Sequence, residues 1–181
     1  HTMYLPRVKQ AQLETHGAVA SYNPDGNLKV YSTTQTPYPC KVIIATVFGM
    51  PSSYVRVKNP PHVGGGFGVR IGISAKAELI ASALSIIAKR PVKYIYSREE
   101  DFLASDTRHG GLIKCRLAAK KDGTFVALDA KACMNTGAYA TFGPDLVAVL
   151  GACGIAGIYG IPNIRYDGHA IYTNQQTAGA F

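Results

Sequence analysis

Apolar and polar positions alternate in short runs through much of this chain, and between those runs the period lengthens to that of a helix. Residues 1–8, with Tyr4 and Pro6, have the pattern of an edge strand. Residues 17–22 and 28–34 form a hairpin about Asn23-Pro24-Asp25-Gly26-Asn27, a segment rich in turn residues. The second strand runs into Ser32-Thr33-Thr34-Gln35, and Thr36-Pro37 starts a helix with proline at its first position. Cys40, Ile43, Ile44, Val47 and Phe48 recur at helical spacing, and Gly49 closes the segment. A short strand follows at 54–58. Ser74 then caps a second helix whose buried face is Ile80, Ala83, Leu84 and Ile87 and which ends before Pro91. Residues 92–96 form the next strand, and Ser97-Arg98-Glu99-Glu100 is a capping box that commits its carboxylates to backbone N–H groups. Strands at 112–119 and 125–134 pair across Lys120-Lys121-Asp122-Gly123. Pro144-Asp145 opens a helix with Leu146, Val149, Leu150 and Cys153 inward, and 159–162 turns into a strand at 164–172. Hairpins interspersed with helices give an α+β fold. There is no internal repeat and no low-complexity tract.

The pattern breaks at Pro60-Pro61-His62-Val63-Gly64-Gly65-Gly66-Phe67-Gly68-Val69-Arg70. Four glycines in five positions leave backbone amides open to close approach, at a cost in chain entropy that a globular protein rarely bears without use. A strand before this loop and a helix after it make an anion- or cofactor-binding arrangement, with Phe67 as an apolar wall. The register is not that of a dinucleotide fingerprint: Gly72 falls one place late, two prolines separate strand from glycines, and no acidic residue follows at the ribose distance. A phosphate-loop ending is also missing. The competing reading is a tight glycine turn without a ligand. Gln35 sits where strand gives way to helix, and its neutral amide can donate and accept together; an ordinary loop glutamine is the alternative. Glu14 and His16, two residues apart with no third ligand nearby, read as structural hydrogen-bonding groups.

Composition narrows the partners. The 181 residues make one domain or a large piece of one, and 47% hydrophobic content is ample for a core. The formal charge of +8 raises a non-catalytic nucleic-acid-binding module as an alternative function. The nineteen basic residues are scattered, however, with only the pairs Lys89-Arg90 and Lys120-Lys121, which suits a solvated basic surface. Cys40, Cys115, Cys133 and Cys153 form no C-x-x-C pair and read as buried free thiols of a reducing, cytoplasmic compartment. No signal peptide and no membrane-spanning apolar run is present. An opening at His1 and an ending at Thr177-Ala178-Gly179-Ala180-Phe181 suggest a single fragment, 1–181, cut at both ends.

Taken in order, Gln12-Leu13-Glu14-Thr15-His16-Gly17, Ser32-Thr33-Thr34-Gln35, Gly64-Gly65-Gly66-Phe67-Gly68, Ser97-Arg98-Glu99-Glu100-Asp101, Thr107-Arg108-His109, Ile161-Pro162-Asn163 and Thr173-Asn174 cover nearly the whole chain. In that order and spacing the chain resembles the molybdenum-cofactor-binding large subunit or domain of the xanthine dehydrogenase and aldehyde oxidase family. The resemblance implies the N-terminal part of a molybdopterin-binding domain, in an oxidoreductase that hydroxylates an N-heterocycle or aldehyde with oxygen from water. It implies a cofactor cradle of Gln35, Gly65, Gly66, Phe67, Gly68, Ala180 and Phe181, with Gln35 and Phe67 nearest the molybdenum. It further implies iron–sulfur clusters and FAD on other domains or subunits, the remaining molybdenum-binding segment as a partner, a small-molecule substrate, and a possible homodimer of the complex. The catalytic glutamate of the family belongs beyond Phe181, so no catalytic residue is expected here and the isolated fragment is expected to be inactive. Ile71 stands where xanthine enzymes carry a purine-holding glutamate, and Val149 and Leu150 where a purine-orienting arginine is expected. Both departures weigh against xanthine.

Overall fold

The computed structural model describes every residue of the chain except Ala156. In chain order its elements are β1 (Thr2–Leu5), β2 (Gly17–Tyr22), β3 (Leu28–Ser32), α1 (Pro37–Val47), β4 (Val55–Lys58), α2 (Lys76–Ala88), β5 (Val92–Ile95), α3 (Arg98–Ala104), β6 (Gly110–Ala119), β7 (Phe125–Gly137), α4 (Gly143–Val149) and β8 (Asn163–Tyr172). They gather into two compact units, His1–Lys9 with Asp106–Ala180, and Gln10–Ser105 with Phe181.

The Gln10–Ser105 unit is a four-stranded sheet in the order β4-β3-β2-β5, with helices against it. β2 and β3 are the antiparallel hairpin the turn residues dictate, with Tyr22 opposite Leu28. β4 lies parallel to β3, so α1 is the crossover a parallel pair requires. Ala18, Ala20, Leu28, Val30, Cys40, Ile44, Ala45, Val55, Ala75 and Ala81 make the core. α1 begins at Pro37 as expected. α2 departs from expectation in two ways. Its N-cap is Ala75, Ser74 belonging to a 3₁₀ turn at Gly72–Ser74. Its inner face is Ala77, Glu78, Ala81, Ser82 and Ser85, while Ile80, Leu84 and Ile87 are exposed. Small residues win the inner face because the helix lies close on the sheet: the Ser85 hydroxyl accepts from the Tyr22 N–H (2.9 Å) and donates to the Arg90 carbonyl (2.7 Å). Large side chains there would prevent both bonds.

In the other unit the order is β1-β6-β7-β8. β6 and β7 are the expected hairpin, β1 is the edge strand, and β8 runs parallel to β7. Ile113, Ala132, Met134 and Val147 form its core, with Leu5, Cys115, Leu150 and Tyr166 packed around them. On α4 the inward residue is Val147, whereas Val149 and Cys153 are exposed. The chain widens into a π-helical turn at Leu150–Ile155, which carries residues past 150 off the helical phase. Gly151 there packs against the Tyr166 ring, whose hydroxyl donates to the Val147 carbonyl (2.8 Å). Of the four thiols only Cys40 is fully buried, which corrects the expectation of four buried ones. Among the described residues no helix is long and apolar enough to cross a membrane.

Candidate functional site

The glycine loop belongs to the Gln10–Ser105 unit, and the strand-to-helix junction after β3 closes on it. The Gln35 N–H donates to the Arg70 carbonyl (2.8 Å), and Gln35 Oε1 accepts from the Gly68 N–H (2.7 Å). Gln35, Gly65, Gly66, Phe67 and Gly68, inferred separately from sequence, are thus one cluster. A Cβ on Gly66 would stand 2.7 Å from Gln35 Cδ and 2.8 Å from Cγ, so only glycine lets the amide lie this close. Phe67 has φ +49°, left-handed backbone that a bulky residue adopts at a cost of about 1–3 kcal/mol when its surroundings require it. Its ring is exposed.

What the cluster offers is a set of neutral donors. The Gly64 N–H is used by Glu14 Oε2 (2.8 Å) and the Gly68 N–H by Gln35, and those of Val69 and Ile71 bond to Gly66 and Gly68 carbonyls. The N–H groups of Gly65, Gly66 and Phe67 have no bond to another described residue. Because a backbone N–H can only donate, the bond to Gly68 fixes the oxygen end of the Gln35 amide, leaving Nε2 for an outside acceptor. Three amides and one carboxamide in one place can orient an electron-rich, oxygen-bearing group without adding charge. Among the described residues no group of three or more His, Cys, Asp or Glu could hold a metal ion.

Beneath the loop lies a polar layer. Arg70, whose side chain is 2% exposed, pairs with Glu14 (2.8 Å) and donates to Thr33 Oγ1 and to the carbonyls of Glu14 and Thr15. Beside it Asp101, fully buried on α3, accepts from the His16 ring, from the His16 N–H (3.1 Å) and from Gln12 Nε2 (3.0 Å). The second His16 nitrogen faces the Val69 carbonyl (3.3 Å). Burial, with lesser help from nearby charges, pushes the adjoining Tyr96 phenol up to about 12. Glu14 and His16 therefore do structural hydrogen bonding, as their sequence context suggested, but to different partners. The capping box is present on Ser97 and Glu100. Arg70 and Asp101 escaped the sequence reading; a lone arginine after the glycines and an acid following a capping glutamate were the only signals, and neither names a partner.

Ala180 lies in the other unit and is half-buried, while Phe181, the last residue, is more than half exposed. The segment before Ala180 is held firmly, with the Ala178 N–H on the Thr136 carbonyl (2.9 Å) and the Gly179 N–H on the Thr107 carbonyl (2.8 Å). Ile71 is half-buried and Val149 is exposed, and neither side chain carries a charge.

Residues 1–181 match the family model described as the molybdopterin cofactor-binding domain. The chain is similar to the nicotinate dehydrogenase large molybdopterin subunit of Eubacterium barkeri, at 33% identity over 97% of this chain and 40% of that protein. It is 35% identical to the xanthine dehydrogenase of Blastobotrys adeninivorans, over 93% of this chain and 12% of the relative. Among solved structures, quinoline 2-oxidoreductase from Pseudomonas putida 86 superposes with TM-score 0.87 at 29% identity, over 100% of this chain and 23% of that one. The aldehyde oxidoreductase of Desulfovibrio gigas gives TM-score 0.90 at 28% identity, over 100% and 20%. The chain therefore spans less than half the length of these relatives.

Proposed function

Since the chain belongs to the molybdopterin cofactor-binding domain family, we propose that Gln35 and loop 64–68 are its contribution to the cradle of a molybdopterin cofactor. The observation that carries this is the Gln35 amide, held at its oxygen by the Gly68 N–H beside the open N–H groups of Gly65, Gly66 and Phe67. The donor set suits a group that brings its own metal ligands and presents oxygen atoms to be oriented. When bound, such a cofactor supplies two-electron redox chemistry for adding an oxygen from water to a carbon. The chain's own part is to hold Gln35 Nε2 and the loop amides toward the cofactor's oxygens and to wall the site with Phe67. Ala180 and Phe181 stand as further contacts on the strength of the resemblance.

The whole protein is then an oxidoreductase acting on an N-heterocycle or an aldehyde, with iron–sulfur and flavin partners carrying electrons away in the cytoplasm and, as a possible arrangement, a homodimer of the complex. The apolar Ile71, Val149 and Leu150 favour a substrate other than xanthine. We assign no catalytic residue to residues 1–181. The experiment is molybdenum and pterin analysis of the full-length protein purified with its native partners, alongside Gln35→Ala. Cofactor in the parent, with hydroxylation lost or slowed in the variant, supports the reading. An active preparation free of molybdenum would refute it, and the alternative of a nucleic-acid-binding module would then be tested by salt-dependent binding.

A further inference from the structure

Loop 64–70 is tied shut by its own last residue. At its entrance, Gly64 gives its N–H to Glu14 Oε2 (2.8 Å), and its carbonyl accepts from the Glu14 N–H (3.2 Å). At its exit, the Arg70 side chain turns back beneath the loop and places Nη1 on the same Glu14 oxygen (2.8 Å). One carboxylate oxygen therefore holds both ends. The guanidinium is held in turn by Thr33 Oγ1, on the segment leading to Gln35, and by the carbonyls of Glu14 and Thr15. The Arg70 carbonyl completes the circuit by accepting from the Gln35 N–H (2.8 Å) and Thr34 Oγ1 (3.0 Å).

We propose that Glu14 and Arg70 are positioning residues that together fix loop 64–70 and the Gln35 amide in the shape that receives the cofactor. The inference rests on the cradle reading, although its first test does not. Arginine is needed for its fork. Its two terminal nitrogens carry four N–H groups for four acceptors, whereas an ammonium has only three. Glu14 is the movable member, because its side chain is 41% exposed whereas that of Arg70 is 2% exposed. Releasing Glu14 thus frees the loop without opening the core.

The test uses the full-length protein with its partner subunits. Amide hydrogen exchange is followed in the peptide spanning 62–71, and the rate of molybdenum loss on dialysis is measured in parallel. Arg70→Lys keeps the charge and removes the fork; Glu14→Gln keeps an acceptor for Gly64 and removes the charge. Arg70→Lys is expected to speed exchange at Gly64 and Gly68 by about tenfold, the equivalent of one or two lost bonds, and Glu14→Gln, which keeps the acceptor but loses the charge that strengthens both of its bonds, by roughly twofold to tenfold. Exchange in β6 and β7 should be unmoved and molybdenum lost faster. Should Arg70→Lys fail to fold, Glu14→Gln alone decides, since it lies on an exposed side chain. Wild-type exchange and metal retention in both variants would overturn the proposal. So would a wild-type Arg70→Lys beside a perturbed Glu14→Gln, because charge alone would then suffice. If the parent carries no molybdenum or pterin, the cradle reading fails while the exchange data still decide whether the clamp holds the loop.

Discussion

Gly66→Ala separates what the loop does for folding from what it does for the site. Gly66 is not one of the glycines with positive φ, so the backbone accepts alanine and its unfolded chain loses freedom, a gain of about 0.4–1 kcal/mol. The new methyl, however, would stand 2.7 Å from Gln35 Cδ and 2.9 Å from Oε1, where ordinary contact is 3.4–4 Å. Gln35 is exposed, so its side chain moves aside by roughly 0.7 Å or more rather than straining the core. Its 2.7 Å bond from the Gly68 N–H then lengthens to the limit of a hydrogen bond, forfeiting about 0.5–1.5 kcal/mol. The two terms nearly cancel, and the net change in stability should stay within about 1 kcal/mol by denaturant titration. Exchange at the Gly68 amide should nevertheless rise by roughly twofold to tenfold. In the full-length protein with its partners, hydroxylation should slow, as is expected of Gln35→Ala. On a Gln35→Ala background the obstruction is absent, and Gly66→Ala should add nothing at Gly68. Equal exchange in Gly66→Ala and the parent, or an effect of the same size on both backgrounds, would refute the reasoning.

Three other outcomes follow from the geometry. Ser97 Oγ accepts the Glu100 N–H (3.1 Å), and the Ser97 N–H is bonded to Glu100 Oε2 (2.7 Å); Ser97→Ala should cost about 1 kcal/mol, read as faster exchange in α3. Cys40 is fully buried and burial pushes its thiol up, so maleimide should label the exposed Cys153 in the native protein and Cys40 only on unfolding. His109 is 6% exposed, and burial lowers its pKa from 6.5. A histidine held below its unfolded value contributes nothing against unfolding above that value. Its burial costs stability as pH falls, because the unfolded chain takes up the proton first. Stability of its unit should thus decline below about pH 6.5, with a smaller slope in His109→Gln, measured by denaturation across pH 5 to 8.

Local chemistry was legible in the sequence and long-range choice was not. Asn23-Pro24-Asp25-Gly26-Asn27 and Lys120-Lys121-Asp122-Gly123 set their hairpins because a turn is decided by the residues within it. The Ser97 cap and the Pro37 helix start were visible for the same reason. The inner face of α2 was not, since helical spacing shows that a face exists but not how near its partner lies; Ser85 on the Tyr22 backbone decided for small residues. The parallel pairings of β3 with β4 and β7 with β8 join segments far apart in the chain, and nothing local announces them. At the site, Gln35 and the glycines stood out by composition and position, and the structure brings them together. Arg70 did not, because its value lies in four acceptors contributed by Glu14, Thr15 and Thr33.

A side-chain amide has two ends of nearly identical shape and opposite sense, and most surroundings leave it free to turn over. Against Gly68 it cannot, since turning over would set two donors face to face. Position 35 is therefore selective for direction rather than for form. A carboxylate there would match the outline of the amide atom for atom and still accept from Gly68, but its outer atom would be a second oxygen bearing charge. An isosteric exchange at this one place converts an offer of a hydrogen into a demand for one. The backbone of a single glycine thus determines the sign of what position 35 presents to whatever it meets.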